Sequence, residues 1–350
     1  MKKKITLMFL LIMFLAGSFT FVMAGAKQNL WIKAAAEKEP ATKLQLFEEY
    51  KNKYSSKKDK NTKFLYYNLA QVSMILKKFE KVIEYGEQAL TFEDLEDHYK
   101  MDLSLWLSNA FNLARKDYDK AYSYADIVKD LGTAVKEMSD GRAQSEEMAR
   151  GIDIRYIGPA LRIQIRILTL RGIDDNNARM ELIKKAIEAH EHDSSNAFPK
   201  RTVFKESFEL AKKNKIIEAI NSIEKVIDQE KLSYNEAKLL AQLYYRKYSR
   251  SKAVEDKDKS IDFYEKAYAK KRKSGMAVKI GQLLSKKDKE KAIQYFAEAY
   301  VLLESDKESD AFKYLQQLWY KDKAKDQTPE EQEAGFNEII SAAKSRLGKD

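Results

Sequence analysis

Three histidines supply all the imidazole in this 350-residue chain, and there is no cysteine to accompany them. His98 stands among acids with no second base. His190 and His192 lie two apart, a spacing that turns them to different faces of a helix. With Glu188, Glu191 and Asp193 beside them they make either a metal site or, more plainly, a charged helix end. The missing cysteine removes disulfides, thiolate metal sites and thiol catalysis. The sequence contains no serine nucleophile elbow, phosphate-cradling glycine loop, zinc-protease helix or calcium loop. It therefore predicts no catalytic residue, no cofactor and no metal, and a binding protein rather than an enzyme.

Cations are the more telling group. Arg155, Arg162 and Arg166 fall at i, i+7 and i+11, with no acid between Asp153 and Asp174. On one helix they line one side, where guanidinium groups suit phosphate, sulfate or carboxylate. Pairing with acids of a neighbouring helix, such as Glu181 or Glu188, is the alternative.

The first 26 residues read as an export signal: a basic start at Lys2, Lys3 and Lys4, an apolar run from Ile5 to Ala16, and small residues around Ala24 and Ala26 where cleavage fits. Without cleavage, Ile5 to Met23 approaches the length of a membrane anchor. The formal charge is +10, and residues 1–26 contribute three lysines and no acid, so the remainder carries 10 − 3 = +7. Export sets nucleic acid aside as a partner. It leaves acidic peptides, acidic polymers and anionic lipid, with membrane attachment only through an uncleaved signal.

Four prolines and twelve glycines among abundant Lys, Glu, Ala, Leu and Tyr predict an all-α chain. Residues 161–167 alternate like a strand, yet Ala160, Ile163, Ile167 and Leu170 also share a helical face, and no second strand is at hand to pair; helix is the prediction. Elsewhere amphipathic helices come in pairs joined by short polar turns. One pair runs from Lys63 to Leu90, turning at Lys77-Lys78, with Phe79, Val82, Gly86 and Ala89 spaced along its second helix. The spacing recurs at Tyr118, Ala121, Ala125 and Val128, after a turn at Arg115-Lys116-Asp117. It recurs at Ala219, Ile223 and Val226, after Lys213-Asn214-Lys215. Ser260, Tyr264 and Ala267 repeat it behind a lengthened loop expected over residues 249–258, and Ala292, Phe296 and Ala299 repeat it after a turn near Lys287-Asp288-Lys289.

In these residues the chain resembles the tetratricopeptide repeat (TPR), a helix-turn-helix unit of 34 residues. Leu69-Ala70, Trp106, Ala110, Leu240-Ala241, Tyr244 and Gly281 take the places of its first-helix packing residues. No copy matches the whole pattern, and the proline usual after the second helix is absent. The resemblance implies an α-α superhelix, a solenoid of helical hairpins whose concave groove receives a protein or peptide, acidic or extended. It implies a groove lined by the first helices. That projection selects Tyr67, Asn68 and Gln71, then Lys205 and Phe208, then Lys238, Gln242, Tyr245 and Arg246, and finally Lys279 and Gln282. Amides and cations there would hold a carboxylate or an extended backbone. Trp31, Trp106 and Trp319 and the twenty tyrosines leave a second role, binding or processing an envelope glycan, although aromatics at helical spacing are more often packing residues.

The expected organisation is a signal over 1–26, TPR-like repeats over 27–130 and 193–325, and an atypical connection over 131–192 broken by Gly132, Gly141, Gly151 and Gly158-Pro159. A terminal capping helix is expected over 326–350, opened by Thr328-Pro329-Glu330-Glu331 with Phe336, Ile339, Ile340, Ala343 and Leu347 on its apolar side.

Overall fold

A computed structural model describes residues 25–55, 61–139, 145–173 and 175–349. The export signal read over 1–26 thus lies, up to Ala24, outside the described residues. No helix among those described is long and apolar enough to cross a membrane.

The described residues form helices and no strands. In order these are α1 (25–36), α2 (Pro40–Tyr54), α3 (Thr62–Ile75), α4 (Phe79–Leu90), α5 (Asp97–Ala114), α6 (Tyr118–Ser139), α7 (Ser145–Ile152), α8 (Gly158–Arg171) and α9 (Asn176–His192). They continue as α10 (Ala197–Lys212), α11 (Ile216–Glu224), α12 (Tyr234–Ser251), α13 (Val254–Lys270), α14 (Ser274–Leu284), α15 (Lys289–Leu302), α16 (Asp310–Leu318) and α17 (Pro329–Leu347). Single π-helical turns at Asp153–Ile157 and Trp319–Lys323 join α7 to α8 and extend α16. The chain divides into two compact units, one ending at Lys200 and the other beginning at Arg201. Within each, helices pack chiefly against their neighbours in sequence, the pattern of a solenoid of hairpins.

Three of the predicted turns share one geometry. Lys77, Arg115 and Asn214 each adopt a left-handed conformation, with φ of 55°, 53° and 69°. The following amides of Lys78, Lys116 and Lys215 donate back to the carbonyls of Ser73, Phe111 and Leu210 at 2.8, 3.2 and 3.0 Å. This closes the first helix by satisfying a carbonyl that helix geometry leaves open, and it aims the second helix back along the first. The expected long loop over 249–258 is absent. α12 continues to Ser251 and α13 begins at Val254, because Asp256 is held by Lys247 at 2.8 Å and Ser251 at 3.1 Å, while Lys252 turns left-handed at φ 57°.

Small residues set the helix crossings. Ala70, Ala89, Ala110, Ala121, Ala241, Ala267, Ala292 and Ala299 are completely buried. A Cβ on Gly281 would sit 2.8 Å from the Phe296 ring, so glycine is what lets α14 approach α15. At two crossings a buried serine bonds across the interface: Ser108 donates to the Ala121 carbonyl at 2.6 Å and Ser260 to that of Ala241 at 2.9 Å.

Between hairpins a polar clip recurs that the apolar pattern does not contain. Glu48 of α2 accepts from Lys81 and, at 2.9 Å, from Tyr85, both on α4. Glu87 of α4 accepts from Lys120 at 2.8 Å and Tyr124 at 3.4 Å on α6. Glu265 of α13 takes Lys291 at 2.6 Å and Tyr295 at 3.0 Å on α15. Each clip uses a lysine and a tyrosine one helical turn apart to hold a carboxylate of the preceding second helix. In the first unit the partners lie 33 and 37 residues downstream, one repeat length.

Residues 161–167 are helical, within α8. The last helix, α17, starts as the sequence predicts: Thr328 accepts from the Glu331 amide, the Glu331 carboxylate accepts in return from the Thr328 amide, and Pro329 occupies the first turn.

Candidate functional site

The second unit gathers part of the predicted groove into one cleft. Lys238 and Gln242 of α12 and Lys279 of α14 line a cleft of ≈590 Å³ together with Tyr234, Tyr264, Arg272, Lys273, Met276 and Leu302. Its position follows from the helix period: Lys238 and Gln242 are one turn apart on the face of α12 opposite the buried Leu240 and Leu243. Lys279 stands on α14 between the buried Ala277 and Ile280. Three lysines, Lys238, Lys273 and Lys279, line the cleft with Arg272 at its edge, and no carboxylate lines it.

The unbalanced charge marks its surroundings. The Lys279 ammonium lies 3.6 Å from the centre of the Tyr245 ring, and its hydrogen bond and charge pull the Tyr245 hydroxyl below its ordinary pKa, against the trend of the buried tyrosines. Tyr264, buried on the other side, is pushed up to about 12 by desolvation. Lys271 and Lys273 approach the Tyr234 ring at 6.0 and 5.8 Å. Beyond the cleft rim, Arg272 donates to the Arg346 carbonyl of α17, and Arg346 holds the buried Glu298 at 2.7 Å.

The other projected groove residues divide. Arg246 is spent on structure, donating to the Ala211 carbonyl at 3.3 Å. Gln282 is half-buried on α14, outside the cleft lining. Lys205 is exposed beside Glu206 at 3.3 Å, and Phe208 is exposed beneath the Lys212 ammonium. In the first unit Tyr67 is buried, its hydroxyl donating to Asp102 at 2.8 Å, so it joins α3 to α5 instead of facing an open groove. The Asn68 amide donates to the Phe64 carbonyl at 2.6 Å, and Gln71 lines a separate, smaller cleft with Pro40 and Ile75.

The arginine stripe is not three equivalent cations. Arg162 pairs with the buried Asp193 at 2.9 Å, not with Glu181 or Glu188, and Ser195 also donates to that carboxylate at 2.6 Å. Burial would raise the Asp193 carboxyl, but these partners hold it below its usual range. Arg155 and Arg166 are exposed and lie over the Tyr156 and Phe198 rings at 5.4 and 5.7 Å. His192 meets Asp153 at 2.7 Å, where Lys136 also donates, while burial lowers the pKa of His190. Among the described residues no three His, Asp or Glu side chains are placed to hold a metal. The tryptophans are packed: Trp31 against Phe47 and Tyr50, Trp106 against Tyr67, and Trp319 with its indole donating to the Gln332 carbonyl at 2.9 Å.

Projection from the first helices overlooked Tyr234, Arg272, Lys273 and the start of α14. The signal for them was the basic run Lys270-Lys271-Arg272-Lys273, which ends at Ser274-Gly275 without an acid to cap the next helix.

No family model matches the chain, and no curated protein matches it. Solved structures that it resembles include the assembly chaperone of RpL4, Acl4 (residues 1–338), at 12% identity over 75% of this chain and 98% of that one, with a TM-score of 0.43. They also include the C-terminal part of a TPR repeat-containing protein of Cytophaga hutchinsonii, at 12% identity, 83% and 98% coverage and a TM-score of 0.35. Yeast Tom70 follows at 11% identity, 94% and 85% coverage and 0.22. These likenesses are loose, and the helical-hairpin architecture rests on the chain's own turns and crossings.

Proposed function

We propose that the chain is an exported, non-catalytic scaffold that presents the cleft of its second unit to an acidic, extended segment of a protein partner. The supporting observation is the convergence of Lys238, Lys273 and Lys279 on one cleft that no carboxylate lines, with Arg272 at its rim bonded to the Arg346 carbonyl. Like charges held together without counter-ions are unfavourable in the free protein, and an incoming anion relieves that repulsion. Gln242 supplies both a donor and an acceptor for a peptide backbone, and Met276, Leu302 and the tyrosine rings supply apolar contact. Export rests on the tripartite pattern of residues 1–26.

A photoreactive residue replacing Gln242 in the native cell tests this. The expected result is covalent capture of a protein through an acidic segment, abolished when Lys238→Glu and Lys279→Glu are combined. The same capture by a well-folded double variant contradicts it. Arg246 is a poor choice for charge reversal because its guanidinium holds a backbone carbonyl.

A further inference from the structure

Arg272 stands where two clefts meet. It lines both the basic cleft and a neighbouring one of ≈420 Å³ whose wall includes Tyr268, Glu298 and Arg346. Its guanidinium donates to the carbonyl of Arg346, in the last turn of α17. Carbonyls in a helix's last turn have no amide partner within the helix and carry the negative end of its dipole, so a cation is well placed against them. The Arg346 side chain in turn donates from Nε to Glu298 at 2.7 Å, and the Tyr268 hydroxyl donates to the other oxygen of that carboxylate at 2.8 Å. Glu298 is buried on α15, so this end of α17 is tied to a fixed point in the core.

Apolar packing holds the two halves of α17 unequally. The first half is pinned by Trp319, whose indole donates to the Gln332 carbonyl at 2.9 Å and whose ring leaves no room for a Cβ on Gly335. Of the 19 residues of the helix only Ala343 is buried, so the last turn leans on the bonds through Arg346. A free arginine on a turn samples many rotamers, and a ligand that uses it must first order it. Held on the Arg346 carbonyl, Arg272 is ordered in advance. That bond takes one of its five N–H donors and leaves the others for a carboxylate at the cleft rim.

We infer that the end of α17 is a strap that positions Arg272 at the rim of the basic cleft, with Glu298 and Arg346 as positioning residues outside the cleft lining. This rests on the acidic-peptide function proposed above and adds how its site is held ready. The coupling is reciprocal: a docked strap favours the ligand, and the ligand favours the docked strap by the same factor. Glu298 separates this from simple electrostatics. Loss of a carboxylate near a basic cleft tightens an acidic ligand through charge alone, whereas loss of the strap's anchor weakens it.

The test is calorimetric titration of the full chain with an oligoglutamate peptide at low salt. Glu298→Met, close in size and without a carboxylate, is expected to weaken binding about threefold to tenfold. In an Arg272→Gln background the same substitution should leave affinity within about twofold. Arg346→Met should follow the same pattern, and because Arg346 is exposed it keeps the result readable if Glu298→Met fails to fold. Arg346→Lys, which can still reach Glu298, should recover most of the loss. Hydrogen exchange at the amides of residues 343–347 should slow several-fold when the peptide is bound. Equal or tighter binding by a well-folded Glu298→Met overturns the strap and leaves the acidic-peptide scaffold in place. So does an Arg346→Met loss that persists in full without Arg272, or exchange that the peptide does not move. If oligoglutamate does not bind the parent, both readings fall.

Discussion

Asp193 shows how a single residue decides between two readings of the same cations. The carboxylate is buried, and Arg162 and Ser195 satisfy it. Removing the guanidinium with Arg162→Met leaves a buried anion short of a donor and should cost roughly 1–3 kcal/mol, seen as a lower urea midpoint with unchanged slope. Because the folded carboxyl is held below its ordinary value, its contribution is present above the unfolded pKa of about 4 and is lost as the pH falls through the folded value. Asp193→Asn should therefore be less stable than the parent at pH 7, and the gap should shrink at pH 3. At the turns the sign reverses. Arg115 holds a left-handed conformation that costs an ordinary residue about 1–2 kcal/mol, so Arg115→Gly should raise stability by about 0.5–1 kcal/mol after glycine's entropic cost. Gly281→Ala drives a methyl into the Phe296 ring and should destabilise by roughly 1–3 kcal/mol in the same assay.

Among the helices, a lysine–tyrosine clip joins one hairpin to the next at three junctions. Burial would raise the Glu48 carboxyl, yet hydrogen bonds from Lys81 and Tyr85 keep it low, while burial first and then Glu48 raise the Tyr85 phenol. Tyr85→Phe keeps the buried ring and removes only the donor, so it should cost about 1 kcal/mol in urea unfolding. A cost near zero would show that the clip adds nothing to packing. The hairpins themselves were legible because apolar residues at 3.6-residue spacing and the polar turns at Lys77, Arg115 and Asn214 are local signals. The strand-like alternation from Leu161 to Ile167 is helical because Ala160, Ile163 and Ile167 share one buried helical face. Choices made in three dimensions were not legible. Asp193 was as good an anion as Glu188 until α9 ended beside Arg162. Tyr67 looked like a groove residue because its neighbours in sequence do not reveal that Asp102 of the next hairpin takes its hydroxyl. The supposed loop after Ser249 vanished for a similar reason: the pairing of Asp256 with Lys247 lets α13 start early.

At the scale of the whole molecule, neighbour-to-neighbour packing implies that the second unit carries its own cleft and its own stability. A fragment of residues 196–350, which keeps α10 whole, should show a helical circular dichroism spectrum and a cooperative thermal transition; a non-cooperative melt would contradict the division at Lys200. The N-terminus of the mature protein, read by sequencing, should be Gly25 or Lys27, and a chain retaining Met1 would contradict export with cleavage. In the proposed role the cations of the α12–α14 cleft hold an acidic partner segment. Calorimetric titration of the segment crosslinked at Gln242, made as a synthetic peptide, checks this, with the parent and the Lys238→Glu, Lys279→Glu double variant compared at low and moderate salt. The expected result is about a hundredfold loss of affinity in the variant, with parent binding weakening as salt rises. Affinities within about twofold of one another, unmoved by salt, would contradict it.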